Sequence, residues 1–140
     1  MNSKEEALRG TRIAERHFNE AEEALKREDY PEVVGHAQLC VENSAKAIIA
    51  CFRIPSWSHD PSGELKESIS ALELSSEEKA KLGRVAEYAH KLAPEHGKTD
   101  YGTRNKLPEE LYEKENADEA LKMAEESIEA AKKFVKDYFG

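Results

Sequence analysis

The sequence predicts an all-α protein, folded as an up-and-down antiparallel bundle of four to five helices. Through most of the chain, apolar residues recur at the three- and four-residue spacing of amphipathic helices. No stretch sustains the alternation of apolar and polar residues that a half-buried strand requires. Residues 33–52, VVGHAQLCVENSAKAIIACF, are apolar on almost every side of a helix, so this segment fits only the centre of the bundle.

Length and composition indicate one small domain spanning residues 1–140. The formal net charge of -8 argues against broad binding of a phosphate backbone, which relies on clustered Lys and Arg, but it leaves room for a small basic cleft. No apolar run approaches the roughly 18 residues that span a bilayer, and the charged N-terminus does not resemble a signal peptide. We therefore expect a cytoplasmic protein that makes no membrane contact.

The two cysteines are expected to be buried, reduced thiols. Cys40 and Cys51 lie on the same predicted helix, about 16 Å apart along its axis at 1.5 Å per residue, which is too far for a disulfide.

The first two helices are predicted to form an antiparallel hairpin. The first begins at Ser3, where Ser3-x-x-Glu6 reads as a capping box, and runs to about residue 28. Pro31 ends it and suits the first turn of the second helix, which ends near Arg53. The inner face of the first helix is expected to carry Leu8, Ile13, Ala14, Phe18, Ala21 and Leu25.

The second half of the chain contains three further predicted helices and one long connection. A short helix spans residues 64–72, and Ser75-x-x-Glu78 caps a fourth helix that reaches about residue 93. Asn116-x-x-Glu119 is expected to cap the last helix, which runs to about residue 138. The connection 94–116 is long for a compact domain, and we expect an ordered loop with one helical turn near 109–112.

The central helix carries polar residues whose role the sequence leaves open. Gln38, Glu42 and Lys46 share one face, and Glu42 with Lys46 forms a favourable i,i+4 ion pair. Together with His36 they line a cleft, or they satisfy one another inside the core or at a dimer contact. The second interpretation is favoured.

No metal site is predicted. The chain has no CxxC or Cys/His pattern for zinc. Glu87-x-x-His90 has the spacing of a di-iron ligand pair, but such a site also needs a second motif of this kind and two carboxylates on facing helices. The second motif is absent, so a solvated helix face is favoured.

Three segments together resemble the HEPN domain, a small helical module often encoded beside a minimal nucleotidyltransferase. Residues 36–38 and 41–47, HAQ and VENSAKA, resemble the family's second helix. Ser58-His59-Asp60 resembles the His-Asp pair that opens its next helix. Residues 101–112 resemble its "RYPD" segment, and the Ala-rich final helix resembles the helix after that segment. The similarity covers about residues 12–133.

The resemblance implies a homodimer whose cleft lies where the loop before the last helix meets its symmetry mate. Many HEPN proteins are metal-independent ribonucleases that use an Arg, a following polar residue and a His four to six residues further on. Arg104-Asn105 supplies the front half of that motif, but no His follows it. The positions four to seven residues after Arg104 are Pro108, Glu109, Glu110 and Leu111.

These considerations favour a nucleotide- or RNA-associated binding module, without a cofactor, that works with a nucleotidyltransferase partner in a toxin–antitoxin-like pair. Its binding residues would be Tyr101, Arg104, Asn105 and Lys106.

Three alternatives stay open. The first is a metal-independent ribonuclease in which His59 or His96 acts with Arg104 in place of the missing His. The second is a plain interaction scaffold. The third is that the individual residues have structural roles only. Arg104 would then pair with Asp100 or another carboxylate, Asp60 would cap a helix, and His59 would be structural.

Overall fold

The structure, a computed structural model that describes residues 2–140, confirms the all-α helical bundle. A 3₁₀ turn, Ala93–Glu95, follows the fourth helix, and no strand occurs between residues 2 and 140. The helices are α1 (Ser3–Lys26), α2 (Tyr30–Ala50), α3 (Ser62–Ser70), α4 (Ser76–Leu92), the single turns α5 (Lys98–Tyr101) and α6 (Pro108–Leu111), and α7 (Lys114–Phe139).

Helix α2 is the centre of the bundle, as the sequence predicts. It contacts all the other helices, and its longest interfaces are with α1 and α7. Burial continues around the whole helix rather than along one stripe, because thirteen of its residues are buried. Within residues 2–140, no helix is both long and apolar enough to cross a bilayer.

Two of the three predicted helix caps are wrong by a few residues. Asn2 rather than Ser3 caps α1, since the Glu5 backbone N–H donates to Asn2 Oδ1 at 2.9 Å. Helix α7 begins at Lys114, and the Glu113 N–H donates to Asn116 Oδ1 at 2.8 Å, so Asn116 lies inside the first turn. At α1, Asn2-x-x-Glu5 fits the same short capping pattern as Ser3-x-x-Glu6. At α7, Asn116 instead accepts from the backbone of Glu113, the residue before the helix.

Other predicted boundaries shift slightly. The Ser75 cap is confirmed by the bond from Glu78 N–H to its Oγ at 3.1 Å. Helix α2 ends at Ala50 rather than near Arg53, and α3 begins two residues early. Leu8 is wrongly predicted to face inward, because 38% of it is exposed.

The predicted burial of both cysteines is confirmed, and neither forms a disulfide. Burial raises the pKa of each thiol, Cys40 and Cys51, to about 12. Both are therefore protonated at neutral pH, and neither is a reactive thiolate.

Helices α1 and α2 pack unusually closely at Gly10. A Cβ placed on Gly10 would lie 3.0 Å from Ala47 Cβ and 3.2 Å from Ala47 Cα. Buried alanines, including Ala7 and Ala14, continue this small-residue contact along α1. The two helices can therefore approach this closely only because the residues at their contact have small side chains or none.

A histidine pair bridges the same two helices farther along. The Nδ1 atoms of His17 and His36 are 3.1 Å apart, so one ring donates a hydrogen bond to the other. His36 Nε2 lies 3.4 Å from a Glu20 oxygen and 3.3 Å from a Glu32 oxygen. Burial, with a smaller effect from His36, lowers the pKa of His17, so the folded protein favours its neutral ring.

Replacing Gly10 with valine should destabilise the bundle. The added side chain has no space against Ala47, and overpacking of this kind costs about 1–3 kcal/mol. Urea unfolding followed by circular dichroism measures the change. Gly83→Val is the matched control, because a Cβ at Gly83 of α4 meets no atom within 4 Å. Equal unfolding free energies for the two variants would contradict the close contact.

The pKa of His17 predicts that stability rises with pH in the weakly acidic range. Unfolded His17 binds a proton below its usual pKa of about 6.5, whereas the folded chain resists that proton until a lower pH. The contribution of His17 to the free energy of unfolding is therefore complete above its pKa in the unfolded chain. It is lost as the pH falls through its pKa in the folded chain. Urea unfolding near pH 5 and near pH 7.5 should therefore show a smaller pH dependence in His17→Gln than in the wild type. An unchanged dependence would show that His17 does not contribute.

Candidate functional site

A cluster of polar side chains lies on one face of α2, which is otherwise packed against apolar residues. It consists of Gln38, Glu42 and Lys46 on α2, His59 from the α2–α3 loop, and His96, which follows the 3₁₀ turn. We call these five residues the Glu42 cluster. Only 7% of the Glu42 side chain is exposed, so its carboxylate needs partners within the protein.

Both oxygens of Glu42 have such partners. Oε1 accepts a hydrogen bond from Gln38 Nε2 at 2.9 Å and lies 3.1 Å from His59 Nδ1. Oε2 accepts from Lys46 Nζ at 3.2 Å, which confirms the predicted ion pair. The predicted mutual satisfaction of polar residues on this face is therefore confirmed, and residues from two other segments extend it.

The two histidines of the cluster stack on one another. Their ring centroids are 3.7 Å apart and their planes differ by 20°. His96 Nδ1 lies 3.3 Å from Gln38 Oε1, and both Gln38 Oε1 and Glu42 Oε1 can only accept. Each Nδ1 therefore donates, which leaves the Nε2 lone pair of a neutral ring free for chemistry.

His59 and His96 were separate candidates in the sequence, and their contact was missed. They are 37 residues apart, and neither lies within a helix whose periodicity would place it. The sequence indicated only that the polar side chains on one face of α2 need hydrogen-bond partners, and not which residues supply them.

The neighbouring Asp60 accepts a hydrogen bond from a free amide at the start of α3, as predicted, although Pro61 and not Asp60 is the N-cap residue. Its Oδ1 accepts from the Ser62 N–H at 3.1 Å, and Oδ2 lies 2.8 Å from His90 Nδ1. Burial tends to raise the pKa of Asp60, but the hydrogen bonds from Ser62 and His90 outweigh it and lower that pKa. His90 and Glu87 are exposed on α4, so the predicted solvated face is confirmed.

The predicted phosphate-binding residues lie elsewhere, on an exposed turn. Tyr101 is 84% exposed, and Arg104, Asn105 and Lys106 are all exposed. None of the ion pairs found among residues 2–140 involves Arg104 or Lys106, so the alternative of an Arg104–Asp100 pair is wrong. We call residues 101–106 the cationic turn.

The backbone holds the cationic turn in one shape. Thr103 N–H donates to Lys106 O at 2.9 Å, which places Arg104 and Asn105 at the tip. Gly102 has a φ of 72°, and a Cβ there would lie 2.3 Å from Lys106 O, so only glycine fits.

Contacts on both sides anchor this turn to the bundle. On one side, Thr99 is buried against Gly35 of α2, where an added Cβ would lie 2.8 Å from Thr99 Oγ1. On the other, the Tyr112 hydroxyl donates to the Glu95 carboxylate. The connection thus contains two short helical turns and a 3₁₀ turn, whereas the sequence predicted one turn.

Within residues 2–140, no hydrogen bond or ion pair joins the cationic turn to the Glu42 cluster. The chain therefore presents two separate polar features. The first is a partly buried acid–imidazole cluster, and the second is an exposed turn that carries two cations and, at its start, the exposed Tyr101.

Comparison with known proteins identifies the family. The HEPN domain model matches residues 8–134. A protein of Methanocaldococcus jannaschii named "Putative toxin MJ1304" is 32% identical over 132 residues, which cover 91% of this chain and 86% of that protein. The crystal structure of TT1696 from Thermus thermophilus has the same fold, with a TM-score of 0.75 and 19% identity over 96% of this chain and 99% of that one. The predicted resemblance is confirmed, and the chain belongs to the HEPN domain family.

Proposed function

We propose that this chain is the toxin-like half of a toxin–antitoxin pair and that its cationic turn binds phosphate groups of RNA or a nucleotide. The observation that carries the proposal is the presence of two exposed cations, Arg104 and Lys106, outside every ion pair of the described chain, on a turn whose backbone is fixed. The name of the Methanocaldococcus relative supports the toxin-like part.

Charge and geometry both favour phosphate at this turn. The chain carries a net charge of -8, so most of its surface repels a polyanion. The planar fork of Arg104 suits bidentate contact with phosphate oxygens, and Lys106 adds a second charge. Tyr101, which is almost fully exposed, offers a ring on which an unpaired base can stack. These residue types are typical of contacts to single-stranded RNA.

The Glu42 cluster supports a second candidate, a metal-independent ribonuclease. In such a reaction one neutral imidazole, of His59 or His96, removes the proton from the ribose 2′-hydroxyl, and the 2′-oxygen attacks phosphorus. The other imidazole, protonated, delivers a proton to the departing 5′-oxygen. The 3.7 Å stack of the two rings favours this candidate, since it places two proton carriers together. We rank it second because the cationic turn makes no bond to the cluster.

A protein partner completes the proposal. A toxin of this kind works with an antitoxin, and the HEPN resemblance favours a nucleotidyltransferase in that role and a homodimer of this chain. Ile54 and Trp57, in the α2–α3 loop, are 91% and 97% exposed. Two large apolar side chains this close together in the chain support a protein contact at that loop.

Removing both cations of the turn should weaken RNA binding. We expect Arg104→Ala/Lys106→Ala to lower the affinity for a short single-stranded RNA by about tenfold or more at low salt and to reduce the salt slope by about two. Filter binding at several salt concentrations measures both. The control is Lys132→Ala/Lys133→Ala, which removes the same charge from exposed positions on α7 that pair with Glu15 and Asp137. Equal weakening by the two double variants would contradict a specific role for the turn.

The same mixtures, run on a denaturing gel, separate binding from cleavage. Because the chain lacks the His that follows Arg104-Asn105 in catalytic relatives, we expect the RNA to remain intact with EDTA present. Cleavage that resists EDTA and disappears in both His59→Asn and His96→Asn would replace the binding proposal with the ribonuclease.

A further inference from the structure

We propose that Glu42, His59 and His96 form a binding site for a late first-row divalent cation, of which Zn²⁺ is the representative. Each of the three side chains offers one ligand atom, and these atoms all lie within 4.8 Å of one another. The site is separate from the cationic turn, so this proposal does not depend on RNA binding.

The donor set selects the class of cation. Two imidazole nitrogens and one carboxylate oxygen suit Zn²⁺ and its neighbours, whereas Mg²⁺ and Ca²⁺ prefer oxygen ligands throughout. Three protein ligands of this His₂Glu type also leave one coordination position open for water or a substrate atom.

His59 and Glu42 already have nearly the spacing that coordination requires. His59 Nδ1 and Glu42 Oε1 are 3.1 Å apart. Adjacent ligand atoms of a tetrahedral site with bonds of about 2.0–2.2 Å are separated by about 3.3–3.5 Å. A cation between these two atoms would replace the proton that they now share. His96 offers a ring nitrogen within 4.8 Å of the other two ligand atoms, and its ring must rotate out of the stack on His59 for that nitrogen to enter the same shell.

The cluster combines one fixed ligand with two adjustable ones. Glu42 is buried, and the bond from Gln38 Nε2 to its Oε1 orients it. His59, by contrast, has 55% of its side chain exposed, and His96 is also exposed and precedes Gly97, whose φ is 84°. The exposed side of the histidines gives a cation access from solvent. Gln38 acts as an orienting neighbour of the carboxylate, a role whose loss typically weakens metal sites.

Lys46 does not block the site. Its Nζ lies 3.2 Å from Oε2, the other oxygen of Glu42, so Oε1 is left to face the histidines. Without a cation, the same hydrogen bonds satisfy the buried carboxylate of Glu42. The experiment must therefore distinguish a metal site from a hydrogen-bonded cluster with a purely structural role.

Titration calorimetry with ZnCl₂ tests the proposal on tag-free chain that has been stripped with EDTA and dialysed. We expect one Zn²⁺ per chain. Either His59→Ala or His96→Ala should weaken Zn²⁺ binding by about 100-fold, because losing a ligand should cost at least as much affinity as losing a residue that only orients a ligand. His90→Gln is the matched control, because it removes an exposed histidine next to the cluster and keeps a donor for Asp60. It should bind as the wild type does.

A second measurement keeps the proposal open to refutation if an alanine variant unfolds. On the wild-type chain, Zn²⁺ should protect His59 and His96, but not His90, from modification by diethyl pyrocarbonate, as read by mass spectrometry. Co²⁺ should give visible absorption bands of a four-coordinate site. The proposal is overturned if Zn²⁺ does not bind, if folded His59→Ala and His96→Ala chains bind it normally, or if the protected histidine is His90.

Discussion

The burial of most of α2 is the constraint on which the rest of this structure depends. A helix packed in this way has little solvent-exposed surface for polar groups, yet α2 carries Gln38 and Glu42 among its buried residues. Burying an ionised carboxylate is costly unless hydrogen bonds and a counter-charge compensate for it. Lys46 and Gln38 supply part of that compensation from α2 itself, and the rest has to come from chain segments that cross the helix.

The two histidine-bearing segments meet at α2 for this reason. His59 arrives from the loop before α3 and His96 from the turn after α4, and each makes a polar contact with a residue of α2. Glu42 thus acts as a docking point for the segment of His59, and its neighbour Gln38 does the same for the segment of His96. Because His96 is followed closely by α5, the same contact also helps to fix where the cationic turn begins.

The helices were predictable because their signals are local, whereas the site was not. Periodic apolar residues located α1, α2, α4 and α7, and the uniformly apolar character of residues 33–52 identified the central helix. Helix starts were less certain where two residues satisfied one pattern, as with Asn2 and Ser3. The Glu42–Lys46 pair followed from i,i+4 spacing alone.

Contacts between distant loops leave no such local pattern. Nothing in the spacing of His59 and His96 indicates that their rings stack, since that contact depends on the paths of two loops across α2. Likewise, the sequence suggested Asp100 as a partner for Arg104, but the turn closed by Thr103 and Lys106 points the guanidinium outward. The family resemblance covered both segments, and within residues 2–140 no hydrogen bond or ion pair joins the cationic turn to the Glu42 cluster.

The position of the single tryptophan has a practical consequence for spectroscopy. Trp57 is almost entirely surrounded by solvent in the folded chain, as it would also be after unfolding. Its intrinsic fluorescence should therefore change little when the bundle melts, and a flat emission signal would not mean that the helices are intact. The same indole is well placed to shift its emission toward the blue when another molecule covers the α2–α3 loop, which makes it a natural reporter of association rather than of folding.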